Sequence, residues 1–316
     1  MIPPPFLREN VDVSAFSAFK TRAFSRYFFE ITERDDIKKL WPLLDFARQN
    51  NLSTVFLGAG TNCLFAFDTF PWVIIRNRYG GWEEPFYRSD AHVIRVHSGE
   101  QSHAVAQKLY DHYSISTLVP WIGLPGTFGG ATVGNAGCFG VEMSDICLEV
   151  EVLDTETGEI LTFFHEDMQY SYRESFLKGN PRYFVLSTLI SLTSLGGEYE
   201  RYTPENLRSV RKIKQPAGFS CGSFFMNSLP TEKQKNELLD FLTPIGTLSS
   251  GRLIDKAWLK WTRIGWVKVS EQHGNFFIND EKATWQDILE LRDRVKKTVF
   301  DIYDVELHEE VRIIQN

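Results

Sequence analysis

The chain has few cysteines and pairs none of them: Cys63, Cys138, Cys147 and Cys221 form no C-x-x-C. The opening MIPPPFLREN has neither a basic region nor an apolar core of the secretory type. Free thiols in a reducing cytosol are therefore expected rather than a disulfide framework. No apolar run approaches the roughly 18 residues that span a bilayer, so no membrane partner is expected. Basic blocks are also missing. The net charge is −7, and the short cluster Arg208–Lys214 (RSVRKIK) is the nearest thing to one. That argues against a nucleic-acid partner, which would need a basic footprint. The seven histidines include no H-E-x-x-H and no Cys/His group at zinc spacing, so no metal is expected. There is no G-x-S-x-G elbow and no G-K-[ST].

What is present is an ordinary globular balance, with 43% hydrophobic and 24% charged residues over 316 positions. That is enough for two or three domains with a buried core. Helical spacing runs through Asp36–Asn50, where Pro42 is expected to kink or split the helix. It recurs in Ser102–Tyr113, Thr231–Leu242 and Trp285–Tyr303. Strands are expected at Ser53–Leu57, Trp72–Arg76, His92–Ser98, Glu149–Leu153, Ile160–Phe164, Tyr183–Leu192, Phe276–Ile278 and Val305–Ile314. Leu195–Asn206 (LGGEYERYTPEN) reads as a linker or domain edge. Helices and strands mix without strict alternation, so the fold class is α+β.

Glycine is concentrated. Seven of the 22 glycines fall in GLPGTFGGATVGNAGCFG, residues 123–140. A second cluster, GAGTN (Gly58–Asn62), ends a strand. Both can lay bare backbone N–H groups along an anionic ligand, and both can equally be tight turns. Neither fits a known dinucleotide fingerprint: Cys63 stands where G-x-G-x-x-G has its third glycine, and no acidic strand end follows about twenty residues on.

STVFLGAGTNCLF followed by GLPGTFGGATVGNAGCFG resembles the flavin-binding half of the UDP-N-acetylenolpyruvoylglucosamine reductase (MurB) family, which reads LGGGSNLL and then GIPGTVGGA…NAGAYG. The resemblance implies a two-subdomain FAD-binding fold of the PCMH/vanillyl-alcohol-oxidase type, followed by a C-terminal α+β substrate domain. Its implied boundaries are 1–85, 86–198 and 199–316. It implies that FAD is held non-covalently by Gly58, Ala59, Gly60, Thr61, Asn62, Pro125, Gly126, Thr127, Gly130, Ala131, Asn135, Gly137 and Gly140.

Further blocks follow in the family's order. YRES (Tyr172–Ser175) with Lys178 is similar to YRDS…K. SCGSFFMN (Ser220–Asn227) is similar to SAGSFFKN, and ELHEEVRII to LEPEVRFIG. Taken alone, Arg173 also reads as a surface ion-pair partner, Ser223 as a loop hydroxyl and Glu310 as a solvated carboxylate. With the resemblance, Ser223 matches the proton donor, Arg173 a planar fork for the substrate's charge, and Glu310 the catalytic glutamate. Tyr172, Lys214 and Asn227 match substrate-binding positions. By strand parity Val305, Leu307, Val311 and Ile313 should face inward, which leaves Glu309 on the apolar face, tolerated by a bulge or an edge position. His273 and Asn279 match an H…N pattern, and Gly251–Lys260 a packed helix. Trp261 stands where the family has Gly, and Trp266-Val267 where it has Gly-Ala.

The short segment between Leu192 and Arg208 is similar to the compact subtype without a tyrosine-bearing insertion. The implied activity is reduction of UDP-N-acetylglucosamine enolpyruvate to UDP-N-acetylmuramate, with NADPH as hydride donor, by a cytoplasmic monomer. Two other readings stay open: another FAD oxidoreductase of the same fold acting on an alcohol or lactone, and a flavin-binding protein with degenerate catalysis.

Overall fold

The computed structural model describes residues 2–88, 91–196 and 202–315, without the side chains of Lys212 and Lys214. The chain divides into two compact units. The first comprises Met1–Val11, Ser25–Ala59 and Pro71–Arg211; the second comprises Asp12–Phe24, Gly60–Phe70 and Lys212–Asn316. Part of the expected linker, 197–201, lies outside the described residues.

The first unit is built on two sheets. One has the order Arg8–Asp12, Phe24–Ile31, Thr69–Asn77, Thr54–Leu57, the last pair running parallel. The connection between these parallel neighbours is residues 58–68, which hold the strand Cys63–Ala66 rather than a helix. The helix Arg34–Gln49 precedes the strand Thr54–Leu57 and buries Leu40, Leu43, Leu44 and Ala47 against Ile31, Val73 and Ile75. Pro42 does not split it. Proline removes one bond, to the carbonyl four residues back. That residue, Lys38, is exposed, so water can satisfy its carbonyl while the opposite face packs.

The other sheet is antiparallel, ordered Ile160–Phe164, Cys147–Asp154, Tyr183–Ser191, Ala91–His97, Phe86–Arg88. Its core joins Ile94, Val96, Val150, Val152 and Ile190 to Val105 and Leu109 of the helix Ser102–Tyr113, with Trp121 and Phe128. Buried indole N–H groups need an acceptor, and Trp121 donates to the Val141 carbonyl at 3.1 Å.

The second unit packs one long helix, Trp285–Tyr303, against short strands. Ile288, Leu291, Val295 and Val299 form its apolar stripe. The stripe meets Phe224, Phe225, Phe277, Leu253 and Ile254. Thr284 caps it, its hydroxyl accepting from Asp287 N while Asp287 accepts from Thr284 N. The expected helix Thr231–Leu242 is interrupted: Glu232–Glu237 is α-helical and Leu239–Phe241 a 3₁₀ turn. Neither piece buries a residue, so no packing sustains a longer run.

The expected final strand Val305–Ile314 is also shorter. Only Arg312–Gln315 is a strand, parallel to Cys63–Ala66. Before it, Glu309 bridges Phe225, and the N–H groups of Glu310 and Val311 converge on one carbonyl, that of Phe224, at 2.8 and 3.3 Å. The chain changes partner there and its phase slips. Val305, Leu307 and Val311 are buried as parity requires, but the next buried residue is Ile314 rather than Ile313. Glu309 is carried by charge: Lys296 lies 3.1 Å away and Arg292 3.6 Å.

The helix Arg34–Gln49 depends on one carboxylate. Asp36 accepts from Thr32 N at 2.8 Å and Glu33 N at 3.2 Å, and pairs with Lys39 at 2.7 Å. Burial works against its charge, but Lys39 and the Thr32 and Glu33 donors outweigh it and bring the carboxyl down to about 2. Asp36→Ala is expected to cost about 1–2 kcal/mol at neutral pH, read by urea unfolding. Because the folded value is depressed, the contribution is complete above the ordinary 3.8 and fades as pH falls toward 2. Wild type and variant should therefore converge in acid; a gap of constant size would show that the carboxylate charge is not the cause.

Candidate functional site

In the first unit the two glycine-rich segments meet. A Cβ on Gly58 would overlap the Thr127 hydroxyl and lie 3.3 Å from Thr127 Cβ, so only bare backbone fits this approach. Thr127 caps the short helix Phe128–Val133, its hydroxyl accepting from Gly130 N at 3.4 Å. Gly126 accepts from Ser102 N at 3.0 Å, which ties the loop to the start of Ser102–Tyr113. Gly140, at φ +88° with nothing within 4 Å of where its Cβ would lie, holds a left-handed turn facing open space. This is a cradle of the kind a dinucleotide needs: main chain brought close, side chains removed. Gly58, Ala59, Pro125, Gly126, Thr127, Gly130, Ala131, Asn135, Gly137 and Gly140 all belong to this unit.

Arg173 and Tyr172 sit beside the same loop. Arg173 Nη1 is 3.2 Å from Glu142 Oε1, and Nη2 donates to the Gly137 carbonyl at 3.2 Å. Its guanidinium lies 4.9 Å over the Tyr172 ring. A Cβ on Gly137 would fall 2.7 Å from Glu142 Cγ and 3.0 Å from Arg173 Nη1, so this glycine is needed for the ion pair to close. Buried Asn135 organises the surroundings: its Nδ2 donates to Ser171 O at 2.8 Å and its Oδ1 accepts from Ser144 N at 3.0 Å. Lys178 donates to the Arg173 carbonyl at 2.6 Å. Glu142 is the member the sequence reading missed; its position right after the glycine run was the available signal. Cys138 lies 3.0 Å from Arg211 Nη2. Burial raises its thiol pKa despite that neighbour, which favours the protonated form.

In the second unit the segment after Ser223 and the segment carrying Glu310 are backbone neighbours. Phe224, the residue after Ser223, accepts the Glu310 N–H. Ser223 itself bridges Phe276, and both Ser223 and Glu310 are half-buried. Gly60, Thr61 and Asn62 belong here too. Asn62 grips the glutamate's backbone, its Nδ2 donating to Glu310 O at 2.9 Å and its own carbonyl accepting from Arg312 N at 2.9 Å. Asn227 Oδ1 accepts from Ser250 N at 3.1 Å, at the start of the helix Ser250–Lys256. Lys214 ends the helix Pro204–Lys214, and its side chain is outside the described residues. Asn279 is structural: it donates to Phe19 O and accepts from Ala283 N. His273 Nδ1 accepts from Asn275 N at 3.2 Å, which requires a neutral ring. Burial, then Lys260, lowers its pKa accordingly. Among the described residues no group of three metal-ligating side chains occurs, and no helix is long and apolar enough to cross a membrane.

Gly58→Ala is expected to weaken flavin retention roughly 10- to 100-fold, the scale of ~1–3 kcal/mol of overpacking. Adding Thr127→Ala should recover part of the loss by removing the hydroxyl the new methyl strikes. Bound-flavin absorbance after dialysis reads both. Full retention by Gly58→Ala would mean that the close approach is not part of the cradle.

Comparison with known proteins covers both halves. Residues 26–163 match the FAD binding domain family. Residues 214–314 match the family described as UDP-N-acetylenolpyruvoylglucosamine reductase, C-terminal domain. The UDP-N-acetylenolpyruvoylglucosamine reductase of Chlamydia trachomatis serovar A is 34% identical over 312 residues, covering 98% of this chain and 97% of its own. That of Anoxybacillus flavithermus is 30% identical over 309 residues, covering 98% and 94%. The crystal structure of the Thermus caldophilus enzyme superposes with a TM-score of 0.71 at 26% identity, covering 98% of this chain and all of that one. Matched end to end by such relatives, with a flavin-binding domain ahead of the characteristic C-terminal domain, the chain belongs to the UDP-N-acetylenolpyruvoylglucosamine reductase family.

Proposed function

We propose that this chain reduces UDP-N-acetylglucosamine enolpyruvate to UDP-N-acetylmuramate, a peptidoglycan precursor, using FAD and NADPH. Its family membership supports the reaction, and one observation supports the site: the carbonyl of Phe224 joins the Ser223 segment to Glu310 across 86 positions of sequence. In this reading residues 1–85 and 86–198 hold the flavin and 199–316 the UDP-sugar. FAD, when bound, would supply the hydride chemistry between NADPH and the terminal enol carbon.

The chain's own residues manage charge and the proton. Ser223 donates its hydroxyl proton to the carboxylate-bearing carbon. A serine is a weak acid, so it serves only a strong base such as the enolate that hydride addition creates. Arg173 opposes the developing negative charge. Its fork is pre-set by Glu142 and the Gly137 carbonyl, so little reorganisation is needed when charge appears. Glu310, if protonated, would hydrogen-bond the enolate carboxylate, or else would orient neighbouring groups, from a backbone anchored at both its N–H and its carbonyl. Asn62 is read both as a lining of the cofactor turn and as the grip on Glu310. Tyr172, Lys214 and Asn227 are read as substrate contacts.

Ser223→Ala is expected to leave FAD reduction by NADPH near normal while slowing reoxidation by the enolpyruvyl sugar about 10²–10⁴-fold, the usual worth of a positioned acid. Anaerobic stopped-flow separates the two steps; two fast half-reactions would remove Ser223 from the mechanism. Arg173→Lys should lose roughly 10- to 100-fold in turnover, because a point charge cannot replace the fork. Near-normal kinetics would count against a charge-stabilising role.

A further inference from the structure

Asn275 is buried, 3% exposed, and almost all its hydrogen-bonding capacity is directed at the residues that follow Ser223. Its Nδ2 donates to Phe225 O at 2.7 Å and its Oδ1 accepts from Phe225 N at 2.9 Å. Its backbone carbonyl accepts from Phe224 N at 2.7 Å. Its own N–H goes to His273 Nδ1. A side-chain amide matched in both directions to one peptide unit imitates a strand neighbour, but it fixes a single residue. On its other edge the same dipeptide receives Glu309 as a bridge partner and the Glu310 N–H at the Phe224 carbonyl. The Phe224 ring stacks on Phe277 at 4.4 Å, which resists rotation about the backbone.

We propose that Asn275 is a positioning residue that holds the Ser223 hydroxyl and Glu310 in a fixed relation by clamping Phe224–Phe225 between them. The proposal rests on the reading of Ser223 and Glu310 given above. A shift of this dipeptide moves both groups, whereas reduction of the flavin by NADPH uses neither.

The test is Asn275→Asp, an isosteric change. The new carboxylate keeps the acceptor for Phe225 N but faces the Phe225 carbonyl without a proton. Reoxidation by the enolpyruvyl sugar is expected to slow about 10- to 100-fold, the scale of one buried hydrogen bond left unmade. Flavin content and reduction by NADPH should stay within about 2-fold of wild type. On acidification the buried carboxyl takes up a proton, restores the donor, and reoxidation should recover relative to wild type at the same pH. A merely structural role would slow both half-reactions together and show no such recovery. Either that pattern, or unaltered reoxidation, overturns the proposal. Should Asn275→Asp not fold, Asn275→Ser, which removes the amide without adding charge, carries the same half-reaction test. Ser223→Ala in parallel keeps the two ideas apart: rapid reoxidation there overturns the role of Ser223 alone, while the split between half-reactions at position 275 still decides whether the clamp serves this step.

Discussion

The carbonyl oxygen of Phe224 is the point at which the second unit's last segment changes partner. It accepts from both Glu310 and Val311, and a carbonyl has two lone pairs with which to do so. That double acceptance breaks the regular ladder. It lets the chain leave Phe225 and continue as a parallel neighbour of Cys63–Ala66. The break places a glutamate beside a serine-bearing loop and shifts the burial phase of everything after it. Groups held by backbone bonds sit more rigidly than groups on free loops, which is what the proposed role of Ser223 as a weak acid would need.

The first unit solves a different problem. A long anionic cofactor needs main-chain donors without side chains in the way, and two loops must come close without collapsing. Gly58 against Thr127 meets that need by steric exclusion, since nothing larger than hydrogen fits. Gly137 does the same for the Glu142–Arg173 pair. One glycine-rich run thus meets Gly58 at one end and makes room for the Glu142–Arg173 pair at the other, where the proposed cofactor cradle and charge-stabilising group would adjoin. Arg173 is only one-fifth exposed in its side chain, so its pairing with Glu142 is less screened by salt than that of a solvated surface ion pair.

Much of this was legible in the sequence. The helices Ser102–Tyr113 and Trp285–Tyr303 and the strand Ile160–Phe164 have the limits that hydrophobic periodicity gave them. Each has a clean apolar stripe or alternation and a cap or turn at its ends. Periodicity failed where packing was absent or a partner changed: the exposed run after Thr231 broke up, and the last strand lost its first half. At Pro42 the helix continues unsplit, because local propensity is outweighed when one helix face is buried.

The residue order alone determined the family and the flavin, because those rest on runs of adjacent residues, and the proposal of Ser223, Arg173 and Glu310 as the reactive groups comes from the same runs. The tertiary structure decided who holds them. Asn275 carries no signal in sequence, Glu142 only its place after the glycine run, and Asn62 stood out only as the end of the GAGTN turn; the partners of Glu142, Asn62 and Asn275 lie 31, 248 and 50 positions away. Their roles come from burial and from hydrogen bonds that only exist once distant segments pack. An amide side chain has no preferred partner until folding removes water and leaves it one.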